Sequence, residues 1–188
     1  MAGDAQRRTF VVVDGENIDA TLGTSILQRR PNPEERPRWE RVTEFAANLW
    51  GQPVTGLFFI NATQGQLPLS FVQALLALKY RVVPLAGEPD EKVVDIGIQR
   101  TLDALLGHED ADLLLVSHDA DFAQHVERLD TDGRRVGVIA FPEFTSGQFT
   151  SLGVTVYDLE SDVHAFNTML PRVRIIPLDE FDPEAFLQ

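Results

Sequence analysis

Short apolar runs recur along the chain, and the segments between them carry apolar residues at helical spacing. Five runs stand out: residues 9–13 (TFVVV), 54–60 (VTGLFFI), 80–85 (YRVVPL), 112–116 (DLLLV) and 135–140 (RVGVIA), with a shorter sixth at 154–157 (VTVY). They are rich in β-branched and aromatic residues and alternate little, as strands covered on both faces of a parallel sheet do. Residues 39–50 place Val42, Phe45, Ala46 and Leu49 on one helical face, and residues 69–78 do the same with Phe71, Val72, Leu75 and Leu78. Residues 90–106 carry Val94, Ile98, Leu102 and Leu105, with Pro89 read as a first-turn residue, and residues 121–129 carry Phe122, Val126 and Leu129. Alternating strand and helix dictates an α/β fold: a central parallel sheet with helices on both faces, joined by right-handed crossovers.

The chain has 188 residues, enough for one domain with a proper core and short for two. The expected organisation is a flexible N-terminus over residues 1–8, a domain over 9–170 and a C-terminal extension over 171–188. That extension joins an extended RVRIIPL to an acidic, aromatic LDEFDPEAFLQ. Val173, Ile175 and Ile176 are too apolar for a free tail, so an added edge strand over residues 172–176, or packing on a partner, is expected. The longest apolar runs fall far short of the roughly 18 residues of a membrane span. The opening MAGDAQRRT lacks the apolar core of a signal peptide, and cysteine is absent, which removes disulfides and thiolate metal sites. A cytoplasmic protein away from the membrane is the expectation. With 29 acidic and 16 basic residues the net charge is −13, which disfavours tight nonspecific binding to nucleic acid but leaves a local contact or a metal-assisted one open.

Where the acids lie matters more than how many there are. Asp14 follows the first strand directly (VVVDGEN), and Asp119 and Asp121 follow the fourth (LLLVSHDADF). Ligands of open parallel sheets bind beyond the carboxyl ends of the strands, where the strand order reverses. In a 3-2-1-4-5 order, strands one and four are neighbours at that reversal, and Asp14 and Asp119 face each other across a few ångströms. Asp95 (EKVVDIGIQ) stands early in the helix after strand three, where an Asp lowers helix propensity unless a metal, a water or Lys92 satisfies it. Clustered carboxylates do not all stay ionised without a counter-charge. A hard cation with oxygen ligands, Mg²⁺ or Mn²⁺, supplies one. Taken singly, each Asp after a strand also reads as a helix N-cap, Asp121 most of all, and Asp95 as a solvated helix residue.

Ser117 and Asn17 have the hydroxyl and amide groups that position a metal-bound water or a phosphate oxygen. His118 reads as a tolerated loop residue, and His108, His125 and His164 as surface side chains. The Pro- and Arg-rich loop 27–38 holds Arg29 and Arg30, which with Arg36, Arg38 and Arg41 are suited to an RNA backbone. The mixing of charges in the loop favours these arginines pairing with Glu34, Glu35 and Glu40 on an exposed surface.

Together, VVVDGEN, the K-x-x-D of Lys92 to Asp95, and SHDADF resemble the NYN domain family, a branch of the PIN-like nucleases, over roughly Thr9 to Leu159. The resemblance implies a PIN-like, Rossmann-like α/β/α sandwich and a metal-dependent ribonuclease site. By position, Asp14, Asp95, Asp119 and Asp121 match the family's acidic residues and Asn17 its post-strand Asn. Lys92, Ser117, Arg29 and Arg30 join Asn17 as candidate substrate contacts. Two positions depart from the pattern. Val93 follows the Lys where the family often has Gly, and His118 follows the Ser where it often has Gly; a bulkier His118 is expected to narrow the substrate channel. The expected function is metal-dependent cleavage of RNA. The alternatives are a non-catalytic domain that binds RNA or a protein partner, including a second copy of itself, and a phosphohydrolase of haloacid dehalogenase type. The last would need an Asp two residues after the first, where Glu16 stands.

Overall fold

A computed structural model describes residues 6–187. Six strands form one parallel sheet: β1 (Arg8–Asp14), β2 (Val54–Asn61), β3 (Arg81–Leu85), β4 (Ala111–Val116), β5 (Val136–Ala140) and β6 (Thr155–Asp158), in the order β3-β2-β1-β4-β5-β6. The expected 3-2-1-4-5 order is present and β6 extends it. Alternate residues of β1 feed two separate cores. Val11 and Val13 pack with Ile18 and Leu22 of α1 (Gly15–Ala20) and its continuation, Val42 and Ala46 of α2 (Trp39–Trp50), and Leu75 of α3 (Leu69–Ala77). Phe10 and Val12 pack on the other face with Ile98 and Leu102 of α4 (Val93–Leu105), Val126 and Leu129 of α5 (Ala123–Thr131), and Phe149 of α6 (Gly147–Ser151). The layer of helices changes face where the strand order reverses, between β1 and β4, as right-handed crossovers require. The result is a three-layer sandwich.

Several expectations shift. The helix expected over residues 90–106 begins at Val93. Pro89 lies in the preceding turn, closed by the Glu88 amide donating to the Glu91 carboxylate at 3.0 Å. Helix also covers Gly15–Ala20 and runs on as a π-helical stretch, Thr21–Leu27, which the sequence reading did not identify. Its signal was the four-residue spacing of Ile18, Leu22 and Ile26, obscured by two glycines and by weak helix formers. Residues 1–5 of the expected flexible N-terminus lie outside the described residues, whereas Arg7 binds Asp112 and Arg8 opens β1. The extension adds no edge strand among the described residues. Its root is held by Arg172, which donates to Asp158 at 2.7 and 2.8 Å, to both Glu143 oxygens and to Glu160, with the guanidinium 4.8 Å from the centre of the Phe141 ring.

Two polar clusters at the opposite, amino end of the sheet fix its base. Buried Asp112 accepts from Arg7, from Gln52 at 2.8 Å and from the Arg135 amide at 2.8 Å. Burial alone would raise its pKa, yet these bonds hold it below the usual carboxylate range. Arg134, also buried, donates to the carbonyls of Leu105, Leu106, His108 and Ala111. It caps the C-terminus of α4, satisfying carbonyls that lack intrahelical partners, and ties the helix end to β4. Arg134→Ala is expected to lower unfolding stability by about 2–4 kcal/mol, measured by urea titration, because it removes four hydrogen bonds made by a buried guanidinium. Arg134→Lys should recover only part of the loss, since an ammonium cannot reproduce the fork of donors.

Candidate metal-binding active site

Parallel pairing aligns Val13 of β1 with Val116 of β4, so the next residues, Asp14 and Ser117, leave the sheet side by side. The Ser117 hydroxyl donates to Asp14 Oδ2 at 3.1 Å and accepts from the Asp119 amide at 3.1 Å. Gly15 allows the close turn into α1: a Cβ there would sit 2.5 Å from a Phe58 ring carbon. On the far side, Gly97 lets α4 approach Leu85 of β3, where a Cβ would meet Leu85 Cδ1 at 2.2 Å. That approach brings Asp95, in the first turn of α4, to the same edge.

The carboxylates of Asp95, Asp119 and Asp121 converge there, with one oxygen from each lying within 4.8 Å of the others. Asp14 is not one of these three. It stands behind them, buried, and reaches Asp119 through Ser117. Asp95 and Asp121 thus join Asp119, and Asp14 is linked to Asp119 through Ser117. Asp119, not Asp121, is the cap: its Oδ1 accepts from the Asp121 amide at 2.9 Å and starts a 3₁₀ turn, Ala120–Phe122, ahead of α5. Asp121 has no capping role and presents an exposed carboxylate to the trio.

The electrostatics follow from this crowding. Asp14 is pushed up to about 6, chiefly by burial, with repulsion from Asp95 and Asp119 adding to it; the Ser117 hydroxyl and the Asn17 backbone amide pull the other way. Asp95 is also raised, by burial first and then by Asp119, Asp121 and Glu16, against a partial offset from Lys92. Lys92 is the residue before α4, and no ion pair to any acid of the trio is present among the described residues. An all-oxygen donor set, crowded and only partly offset by Lys92, suits a hard divalent cation.

His118 and Asn17 play a different part from the one expected. His118 is buried rather than lining a channel. Its Nε2 accepts from the Phe141 amide at 2.9 Å, so Nδ1 carries the proton and donates to Asn17 Oδ1 at 2.9 Å. The His118 backbone amide also donates to Asn17 Oδ1, at 2.8 Å, and the ring stacks on Phe141. The carbonyl oxygen of the Asn17 amide is thus engaged in tying the start of α1 to the ends of β4 and β5. Burial lowers His118 to about 4, which keeps the ring neutral for this bonding. Of the other histidines, His108 and His164 are exposed as expected, while His125 is half-buried against Asp103 at 2.8 Å.

The arginine loop lies apart from the trio. Arg29 is paired with Glu35, which that bond and the Asn32 amide hold down to about 2, and Arg36 is paired with Asp19. Arg41 donates to the carbonyls of His164 and Phe166 and to the Asn167 side chain. Arg30 is exposed, and with Arg29, Asp19, Gly23, Thr24 and Pro31 it lines a cleft of about 480 Å³ that shares no residue with the acidic cluster.

No helix among the described residues is long and apolar enough to cross a membrane. No curated protein matches the chain. Among solved structures, a Vibrio parahaemolyticus RIMD 2210633 protein of unknown function, VPA0982, is similar over 86% of this chain and 98% of its own, with 22% identity and a TM-score of 0.65. YcaC from Pseudomonas aeruginosa is far more distant, at 11% identity and a TM-score of 0.40 over 86% of this chain and 80% of that one. The first of these likenesses supports the fold. The sequence pattern of the NYN domain matches residues 8–160, the span that holds all six strands and every acid of the cluster, and the chain belongs to the NYN domain family.

Proposed function

We propose that this protein is a metal-dependent ribonuclease whose cation, Mg²⁺ or Mn²⁺, is held by Asp95, Asp119 and Asp121, with Asp14 behind them. The convergence of three carboxylates within 4.8 Å, at the strand-order reversal of an NYN domain, carries this reading. When bound, such a cation lowers the pKa of a coordinated water and offsets the negative charge that builds up on the scissile phosphate. The chain's own residues do the rest. Ser117 fixes the spacing of Asp14 and Asp119. Asp121, exposed at the rim, orients an attacking water. Lys92, three residues before Asp95, attracts a phosphate oxygen, and Arg30, in the separate arginine-loop cleft where Arg29 is paired with Glu35, offers the RNA backbone a second contact. The Asn17–His118–Phe141 links hold the strand ends in register.

Asp119→Asn and Asp95→Asn should each lower cleavage of single-stranded RNA on the order of a hundredfold or more, read by gel assay in Mg²⁺ and Mn²⁺. Asn keeps the cap at position 119, so melting of the metal-free protein should barely change; Asp119→Ala would lose the cap as well, about 0.5–2 kcal/mol. If the parent cuts none of a varied RNA panel, the domain is a binding module. If it instead hydrolyses small phosphomonoesters and spares RNA, it is a phosphohydrolase.

Millimolar Mg²⁺ or Mn²⁺ should raise the melting temperature of the parent through preferential binding to the folded state, and raise that of Asp95→Asn and Asp119→Asn much less. An unmoved parent would rule out a preformed cation site.

Asp14 gives a third test, in the absence of metal. Its folded pKa of about 6 lies above the unfolded value of about 3.9, so the native state holds the extra proton between them. Stability therefore falls as pH rises through that window and levels off above it. His118, lowered to about 4, acts in the opposite direction over an overlapping range. Comparing Asp14→Asn with the parent cancels that contribution. The variant's advantage should be near zero at pH 4 and grow to the order of 2–3 kcal/mol by pH 7, in chemical denaturation run with chelator. An advantage that does not vary with pH would show that Asp14 is not held above its normal range.

A further inference from the structure

The exposed apolar surface of this protein is concentrated in two places, neither of which belongs to the acidic site. One is α3, which has no charged residue: Leu69 and Leu76, two turns apart on its outer side, are 67% and 56% exposed, and Phe71 and Leu78 are also open to solvent. The other is the C-terminal extension, where Val173, Ile175 and Leu178 are 97%, 96% and 88% exposed. Val173 and Ile175 are two residues apart in non-helical chain, so in an extended conformation they share one face. Such groups leave water only by meeting a partner.

The charges of the two regions are complementary. Just past α3, Lys79 and Arg81 are exposed and pair with no acid among the described residues. Just past Val173 and Ile175, the extension carries Asp179, Glu180, Asp182 and Glu184. On a chain of net charge −13, the Lys79/Arg81 spot is a place where an acidic strand would be attracted rather than repelled. The dimensions agree as well. Leu69 to Lys79 spans about 15 Å of helix rise, and Val173 to Asp179 about 17 Å, taking four extended steps and two of the 3₁₀ turn Leu178–Glu180. Arg172 fixes where the extension leaves the body, next to β6, while α3 packs on β3 at the opposite edge of the sheet.

We propose that the extension of one copy docks along α3 of a second copy. It runs parallel to the helix, with Val173 and Ile175 on Leu69 and Leu76, and the 3₁₀ turn Leu178–Glu180 carrying Asp179 and Glu180 to Lys79 and Arg81. Reciprocal exchange of the two extensions closes a two-fold dimer, and the proposal is independent of catalysis.

Sedimentation velocity on the 188-residue chain tests it, using two double variants whose altered side chains are all exposed: Val173→Asp with Ile175→Asp, and Leu69→Glu with Leu76→Glu. The parent should have twice the monomer mass across a concentration series, and each variant alone should be monomeric with the far-UV circular dichroism spectrum of the folded parent. Mixed in equal amounts, the two variants should form a one-to-one dimer, because one supplies an intact extension and the other an intact α3. A monomeric parent, or a mixture that stays monomeric at the highest concentration, overturns the proposal. So does a dimer that survives the tail variant and is lost only in the α3 variant, which would mean that α3 packs on α3. Lys79→Glu with Arg81→Glu should weaken the dimer at low salt at least tenfold, and adding Asp179→Lys and Glu180→Lys to the same chain should restore it. Loss without restoration would place the basic pair elsewhere in the interface and overturn the docking arrangement.

Discussion

The parallel pairing of β1 with β4 is the constraint on which the rest of the molecule depends. Because Val13 lies against Val116, Asp14 and Ser117 leave the sheet together, and one hydroxyl then joins both acid-bearing strand ends. The same pairing is where the strand order reverses and the helical layers change face. The crossover that reaches β4 must come from α4, and α4 brings Asp95. Had β4 run antiparallel to β1, Asp119 and Asp121 would leave the opposite end of the sheet from Asp14; had the two strands been separated, the acids would not meet. The site is thus a consequence of topology before it is a consequence of side-chain chemistry.

Buried carboxylates elsewhere in the molecule show what an ordinary structural acid looks like. Asp112 is surrounded by donors from Arg7, Gln52 and Arg135 and lies below the usual range. Asp158 is buried too, but Arg172 and the amides of Glu160 and Ser161 hold it low. Asp14 has a single side-chain donor, Ser117, and is raised, with like charges beside it in place of a cation. A fold able to satisfy two buried acids this fully has left the third under-satisfied beside a carboxylate trio. Structural acids are seldom left so, and functional ones often are.

Most of the architecture was legible in the sequence because buried parallel strands are short uninterrupted apolar runs, and each expected run is a strand within a residue or so. The helix after Asp14 was less legible: its Ile18, Leu22 and Ile26 stripe is regular, but Gly15, Gly23 and the Thr and Ser residues obscure it. The acids were legible as a set, since each follows a strand or opens a helix. Their arrangement was not, because which carboxylates touch depends on side-chain direction as well as strand order. Asp119 and Asp121 both looked like caps, and only the turn geometry shows that Asp119 does the capping while Asp121 is free to face the trio. Arg134 and Arg172 went unread for a related reason: a buried arginine is identified by the carbonyls or carboxylates around it, and those come from distant parts of the chain.

His118 shows how a departure from a family's pattern is resolved by packing. Where a glycine is common, an imidazole has been added next to the acids, and from sequence alone it is naturally read as an obstruction to substrate. The ring turns inward instead. It stacks on Phe141, accepts that residue's amide proton and donates to Asn17, so the ends of β4 and β5 and the start of α1 share one side chain. A glycine would leave the Phe141 amide without this acceptor and the Asn17 carbonyl with one donor fewer, each a loss of about a kcal/mol or more in a buried setting. The repulsion among Asp14, Asp95, Asp119 and Asp121 pushes those same strand ends apart. A neutral, fully bonded histidine opposes that repulsion without adding a positive charge that would compete with a cation for the carboxylates, which a lysine or arginine at the same position would do.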